Sequence, residues 1–310
     1  MARYAPEKME LATRDIVARA IATEIEEGRG IGEGLTAGVY LDFTKIPAER
    51  IRERLGQVAD LSLRFAGVDI TKAPVLISPA CHYSMGGLEM ADFRTGATRV
   101  PGIFTAGEAS CVSVHGANRL GANSLSEVLV FGKTAGEGAS AYAKEHSYEG
   151  NQDTLTAGCT KWKDIFDQVT SRPHAGNRTV PEIRDAMVDT MWFKAGVFRN
   201  GPQLEEAAKE LHALAEDYKN CFVGDSSHVY NTAFAQYVEL GNMLQISHAI
   251  VQGAIARKES RGGHSRKDFP KRDDANFLKH TLIFKKSDGS YAAEYQDVVI
   301  TKYPPQERKY

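Results

Sequence analysis

Cysteine is scarce in this sequence: four in 310 residues, at Cys81, Cys111, Cys159 and Cys221. They form no Cys-x-x-Cys pair and show no zinc spacing, so they are expected to be reduced intracellular thiols without a disulfide frame or metal. No apolar run approaches the ~20 residues that cross a bilayer. The opening Met1-Ala-Arg-Tyr-Ala-Pro6 has no apolar signal stretch. Any membrane association is therefore expected through a partner. Charge of one sign is lacking too: the net charge is -2, which gives no footprint for nucleic acid. Repeats and low-complexity tracts are absent. What remains is 42% hydrophobic and 25% charged, an ordinary globular balance, long enough for two domains or one with a satellite.

Helical spacing of Ile16, Val17, Ala20, Ile21 and Ile25 after Thr13 predicts a helix that ends at Gly28 and Gly30. The glycines at 28, 30, 32 and 34 resemble a phosphate loop, but they follow a helix and do not fit G-x-G-x-x-G. A hairpin entry is the expectation there. Strands are predicted at 38–43, 75–78 and 99–107, the last ending in a glycine turn, with an amphipathic helix over 48–65 between the first two. A helix over 124–143 carries Gly132, Gly136 and Gly138, which predict close packing. Helical patterns near 155–170, 180–196, 202–221 and 231–258 predict an antiparallel bundle. Strands at 280–284 and 296–301 would form a terminal hairpin.

One stretch does not read as core. Residues 102–125 are dense in Gly and Ala, yet carry Glu108, His115, Arg119, Asn118 and Asn123. Small residues let backbone come close to a ligand, and isolated polar groups are costly to bury without a partner. The combination fits a wall around a flat, polar, nucleotide-like cofactor.

Two motifs in and near this stretch carry a family resemblance. His82-Tyr-Ser-Met-Gly-Gly87, followed by Thr105-Ala-Gly-Glu108 and His115-Gly-Ala-Asn-Arg-Leu-Gly-Ala-Asn-Ser-Leu125, closely resembles the flavoprotein subunit of succinate dehydrogenase and fumarate reductase. L-aspartate oxidase is a near relative. Tyr4-Ala-Pro6 and Thr13-Arg-Asp15 look like that family's lead into its capping domain. Glu259-Ser-Arg-Gly-Gly-His-Ser-Arg266, Asp268-Phe-Pro270 and Arg272-Asp-Asp274 look like its C-terminal signature. Cys111-Val-Ser-Val-His-Gly116 is more similar to the succinate dehydrogenase wording.

The resemblance implies roles residue by residue. Arg14 corresponds to the catalytic proton shuttle. An arginine is normally protonated, so such a base demands neighbouring cations and a relay that refills it. Read by itself, Arg14 is a solvated first-turn residue, poorly placed for the helix dipole. His82 and Arg119 correspond to the dicarboxylate-binding pair, where the planar guanidinium offers a fork. Without the resemblance, His82 is a loop histidine and Arg119 a salt-bridge partner of Glu127. Glu108, Ser124 and Leu125 correspond to residues that contact FAD, the latter two at a helix N-terminus that suits an electron-rich flavin edge. The bland alternatives are a solvated turn carboxylate for Glu108 and a plain N-cap for Ser124. His115 is expected to be structural or to act through a neighbour. The charged run 257–266 is ordinarily a solvated face; the resemblance places it near the partner iron–sulfur subunit and the folded flavoprotein core.

The family's opening strand–GxGxxG–helix unit, with its FAD-linking histidine and its proton-relay pair, cannot be placed in this sequence. The sequence therefore looks like a C-terminal half: a capping-domain remainder (1–75), the closing part of an FAD-binding Rossmann-like domain (76–148), a helical bundle (149–258) and a tail with a β-hairpin (259–310). The fold class is α+β with α/β character. The expected reaction is oxidation of succinate to fumarate with hydride transfer to FAD and electrons passed to the iron–sulfur subunit. The expected location is the cytoplasmic inner face of the cell membrane through anchor subunits, or the matrix side in a mitochondrion. The alternatives are a fumarate reductase or L-aspartate oxidase flavoprotein, or an isolated, non-catalytic chain that binds little or no FAD.

Overall fold

A computed structural model describes residues 1–146, 150–174 and 176–306. The chain divides into two compact units, residues 1–82 and residues 83–305. The expected boundary near 148/149 falls on residues outside those described.

In the first unit the helical pattern forms as expected. Helix α1 spans Arg14–Glu26, β1 is Val39–Leu41, α2 is Ala48–Ala66 and β2 is Val75–Ile77. Strands β1 and β2 pair antiparallel, Val39 opposite Ile77. Ile31 and Gly38 exchange backbone hydrogen bonds of 2.8 and 2.9 Å, so the glycines between them form a hairpin-like loop ahead of β1. Ile51 and Ile70 are fully buried, with Ala20 and Ile21.

The second unit opens with two short parallel strands, β3 at Leu88–Glu89 and β4 at Ser110–Cys111. The strand expected over 99–107 does not form. Pro101 has no N–H for a ladder, and Pro101-Gly102 instead turns the chain: Ile103 N donates to Val100 O at 3.1 Å and Thr98 N to Ile103 O at 2.9 Å. Helix α3 follows at Asn123–Glu145. Of its three central glycines only Gly138 is pressed, since a Cβ there would stand 2.1 Å from the Thr95 carbonyl oxygen. Gly132 and Gly136 face open space, which corrects the expectation of close packing along the helix.

The bundle comprises α4 (Gln152–Thr170), α5 (Val180–Ala195), α6 (Gly201–Asn220) and α7 (Thr232–Ala256). Each starts on a capping side chain: Asn151, Thr179, Asn200 and Asn231 accept from first-turn amides. Thr179 and Glu182 complete a reciprocal capping box. Helices α5, α6 and α7 pack on one another around Ile183, Met187, Leu204, Leu211, Leu240 and Val251. Helix α4 is largely exposed and contributes Val169 to that core.

After a short α8 (Asp274–Phe277), the tail hairpin pairs β5 (Lys279–Lys285) with β6 (Tyr291–Asp297). The second strand lies earlier than expected. Asp288-Gly289 makes the turn, with Gly289 at φ +84° and Ser290 N on Asp288 Oδ1 at 2.9 Å, so pairing restarts at Tyr291. The charged run between α7 and α8 is committed within the chain itself. Glu259 is fully buried and accepts from Arg257 Nε at 2.9 Å, Arg261 Nε at 2.8 Å and Asp273 N at 2.8 Å. Arg266 is 3% exposed and donates to Asp268 and to the Ala254 carbonyl. This network replaces the solvated face expected for residues 257–266.

Candidate functional site

The stretch 102–125 is a chain of turns ending in α3. Gly107 takes φ +72° to start a single 3-10 turn, Gly107–Ala109, and Ser110 Oγ donates back to Gly107 O at 2.7 Å. Two non-glycine residues here, Ser113 and Ala122, adopt φ +64°. Such backbone costs about 1–3 kcal/mol per residue and gathers where function over-determines it. Ala122 is the N-cap of α3 and no side chain caps that helix, unlike the bundle helices. Ser124 is therefore a first-turn residue and not the cap.

Loop 83–87 lies against this stretch. Gly87 sits at φ +142°, and a Cβ there would stand 2.4 Å from the Ala109 carbonyl oxygen, so this glycine of the motif is dictated by close approach. Ser84 N donates to Glu108 Oε1 at 2.8 Å. Glu108 is otherwise exposed. The Tyr83 hydroxyl donates to Glu127 Oε2 at 2.6 Å, and His115 Nε2 reaches the same oxygen at 2.6 Å. Glu127 is 3% exposed, and these two contacts satisfy its Oε2. Burial first, and then the Glu127 carboxylate, push the Tyr83 phenol up to about 12.

Arg119 is half-buried, with its guanidinium carbon 4.7 Å from the centre of the Tyr83 ring. Its Nη1 donates to Leu120 O at 3.0 Å. Its Nε is buried without a hydrogen-bond partner. Among the described residues it pairs with no carboxylate, so the reading of Arg119 as a partner of Glu127 does not hold. Glu127 Oε1 and His115 Nδ1 are likewise buried and unpartnered. Three such atoms in one cluster mark a place where hydrogen bonds come from something other than the described side chains.

The remaining expected residues are placed as follows. Ser124 is half-buried in the first turn of α3, and Leu125 is 70% exposed beside it. Exposed Leu129 continues that apolar face. Arg14 is the exposed first residue of α1, and His82 is exposed after β2, both in the unit 1–82. Sequence reasoning gave Tyr83 no role and gave Glu127 only that of an ion-pair partner for Arg119. The signal was available in part: Tyr83 sits inside the quoted motif, and Glu127 is the nearest carboxylate to Arg119 along α3.

Residues 2–125 match the sequence family described as FAD binding domain, and residues 184–310 match the one described as fumarate reductase flavoprotein C-term. The 8-methylmenaquinol:fumarate reductase flavoprotein subunit of Wolinella succinogenes is 43% identical over 310 residues, covering 100% of this chain and 50% of that protein. The chain belongs to the fumarate reductase and succinate dehydrogenase flavoprotein family. The succinate dehydrogenase flavoprotein subunit of Rickettsia bellii is 37% identical, covering 100% of this chain and 54% of that protein. A variant chain of E. coli quinol fumarate reductase superposes with a TM-score of 0.88 at 37% identity, over 96% of this chain and 51% of that one. The chain thus spans about half the length of the relatives it matches. The fold is α+β, helix-rich with short sheets. Among the described residues no helix is long and apolar enough to cross a membrane, and no cluster of potential metal ligands is found.

Proposed function

We propose that these residues serve an FAD-dependent flavoprotein that interconverts succinate and fumarate. The observation that carries this reading is Arg119: a half-buried guanidinium stacked on Tyr83, with Nε unpartnered and no carboxylate of the described chain claiming it. A guanidinium whose charge no described carboxylate neutralises suits a dicarboxylate. Family membership and the motif around Arg119 support the same assignment. Because the chain spans about half its relatives' length, the activity is proposed for the flavoprotein that carries these residues.

Each residue then has a stated task. Arg119 binds one substrate carboxylate through paired N–H donors. His82 donates a further hydrogen bond to the dicarboxylate. Arg14 takes the proton released from substrate carbon in oxidation and returns it in reduction. Glu108, Ser124 and Leu125 contact FAD. The fit is supported by the start of α3, which has no side-chain cap and whose dipole favours an electron-rich group, and by Glu108, exposed and held in place by Ser84 N. FAD, when bound, supplies the hydride acceptor. An iron–sulfur subunit would be the electron-accepting partner, and anchor subunits would hold the complex on the inner face of the membrane. Residues 1–75 act as capping-domain remainder, 76–148 as the closing part of the FAD domain, 149–258 as the helical bundle and 259–310 as the tail.

The wording around Cys111 is more similar to succinate dehydrogenase, the Wolinella relative is named a fumarate reductase, and the direction is left to the assay. The test is to purify the flavoprotein, record its flavin absorbance, and assay succinate with an artificial acceptor, fumarate with a reduced dye, and L-aspartate. Turnover of succinate and fumarate is expected, and their ratio gives the favoured direction. Turnover of L-aspartate alone, or a colourless protein active with none of the three, overturns the proposal. The 310-residue chain measured alone decides whether it holds FAD by itself.

A further inference from the structure

Arg119 is held from behind by a braced aromatic ring. The Tyr83 ring lies 4.7 Å from the guanidinium carbon. The ring is fixed at two points. Its hydroxyl donates to buried Glu127 at 2.6 Å, and its edge meets the His115 imidazole with centroids 5.4 Å apart at 88°. Glu127 in turn is tied to His115 Nε2 at 2.6 Å, so the three side chains form a closed group.

An aromatic face attracts the guanidinium yet takes none of its in-plane hydrogen bonds. One of those donors, on Nη1, is already used by Leu120 O. That contact and the stack together fix the plane of the guanidinium and its rotation within the plane. Among the described residues nothing takes the Nη2 donors, which leaves them for a carboxylate oxygen. Nε is buried and unpartnered, so the guanidinium is held with that donor turned inward and Nη2 left for a ligand.

We propose that Tyr83, braced by Glu127 and His115, is a positioning residue that orients the Arg119 guanidinium to receive a substrate carboxylate. The proposal rests on the reading of Arg119 as the substrate-binding arginine and deepens it: the ring face fixes the direction in which that arginine offers its donors. The high phenol pKa keeps Tyr83 a neutral donor to Glu127 throughout the working pH range.

The test compares Tyr83→Leu, Tyr83→Phe and Arg119→Lys in the flavoprotein that carries these residues, with malonate as a non-reacting dicarboxylate. Tyr83→Leu removes the stack, so KM for succinate and the dissociation constant of malonate, read from the flavin spectrum, rise about tenfold. Tyr83→Phe keeps the ring and loses only the tie to Glu127, so both constants stay within about threefold of wild type. Flavin content and unfolding temperature are measured for each variant. Equal loss in the Phe and Leu variants, or wild-type constants in the Leu variant while Arg119→Lys loses binding, overturns the positioning role. Should the Leu variant fail to assemble, Tyr83→Met replaces it: about tenfold weaker malonate binding with unchanged flavin content supports the role of the ring, and binding within about threefold of wild type overturns it. Wild-type constants in Arg119→Lys overturn the underlying reading of Arg119 instead.

Discussion

The backbone amide of Gly263 donates to the carbonyl oxygen of Ala117 at 2.8 Å. A turn in the C-terminal charged run therefore holds the loop that carries Arg119. Its neighbour Gly262 has φ +58°, and a Cβ there would stand 2.3 Å from the same carbonyl oxygen. Gly262→Ala adds left-handed strain and a backbone clash, and neither can be relieved by a side-chain rotation. The expected loss is about 2 kcal/mol or more. The unfolding temperature should fall by several degrees, and KM for the dicarboxylate should rise as the Ala117–Arg119 loop shifts. A variant with the wild-type melting curve and KM would show that the turn does not support the loop.

Glu259 anchors that same turn. It is fully buried, and Arg257, Arg261 and the Asp273 amide all donate to it. Removing one member of a buried ionic group leaves its partners uncompensated, at a cost of roughly 3–5 kcal/mol. Glu259→Ala should lower the denaturation midpoint accordingly, and Glu259→Gln, which keeps acceptor capacity on one atom, should cost less. Equal midpoints for wild type and Glu259→Ala would remove the network from the stability of this unit.

Much of this was legible in the sequence, for reasons that differ by element. The helices were readable because periodic apolar positions and Asn or Thr caps act locally, as at Thr179 and Asn200. The run 99–107 misled because Val, Ile and Phe favour strands, while Pro101-Gly102 breaks the ladder in the middle. The hairpin register depended on Asp288-Gly289, a turn signal two residues long that outweighed the apolar run at 298–300. At the site, motif residues could be named individually, but the partner of Glu127 could not. A buried carboxylate goes to the donors that the fold brings near, and here these are Tyr83, 44 residues away, and His115. Long-range pairing of that kind leaves no local pattern.

His264 gives the tail a pH dependence. Arg199 Nη1 lies 3.0 Å from its Nδ1 and can only donate, so Nδ1 accepts and Nε2 carries the proton toward Arg257 O at 2.9 Å. This is the neutral ring. Burial, with Arg199, Arg266 and Arg257 nearby, lowers its pKa from 6.5 to about 4. Between these values the unfolded chain binds a proton that the folded chain does not. The contribution to stability is complete above pH ~6.5 and is lost as pH falls toward about 4. The depressed pKa values of Glu259 and Asp274 add losses at lower pH, as those carboxylates protonate. Comparing wild type with His264→Gln isolates the histidine: the wild-type unfolding free energy should fall more steeply between pH 6.5 and 4. Parallel curves would show that His264 does not titrate on unfolding.

Arg14 separates function from stability cleanly. It is the exposed first residue of α1, where a cation opposes the helix dipole. A purely structural view predicts that Arg14→Ala leaves stability unchanged or raises it by up to about 1 kcal/mol, with activity intact. The proton-shuttle role predicts the same stability with turnover lowered at least about a hundredfold, the usual scale for a positioned acid–base group. Lysine should not rescue it, because its point charge does not reproduce the planar guanidinium. The decisive measurement is kcat for succinate oxidation alongside the melting temperature of the flavoprotein carrying Arg14→Ala or Arg14→Lys. A stable, flavin-loaded variant with near-normal kcat would remove Arg14 from the chemistry, whatever the fate of Arg119.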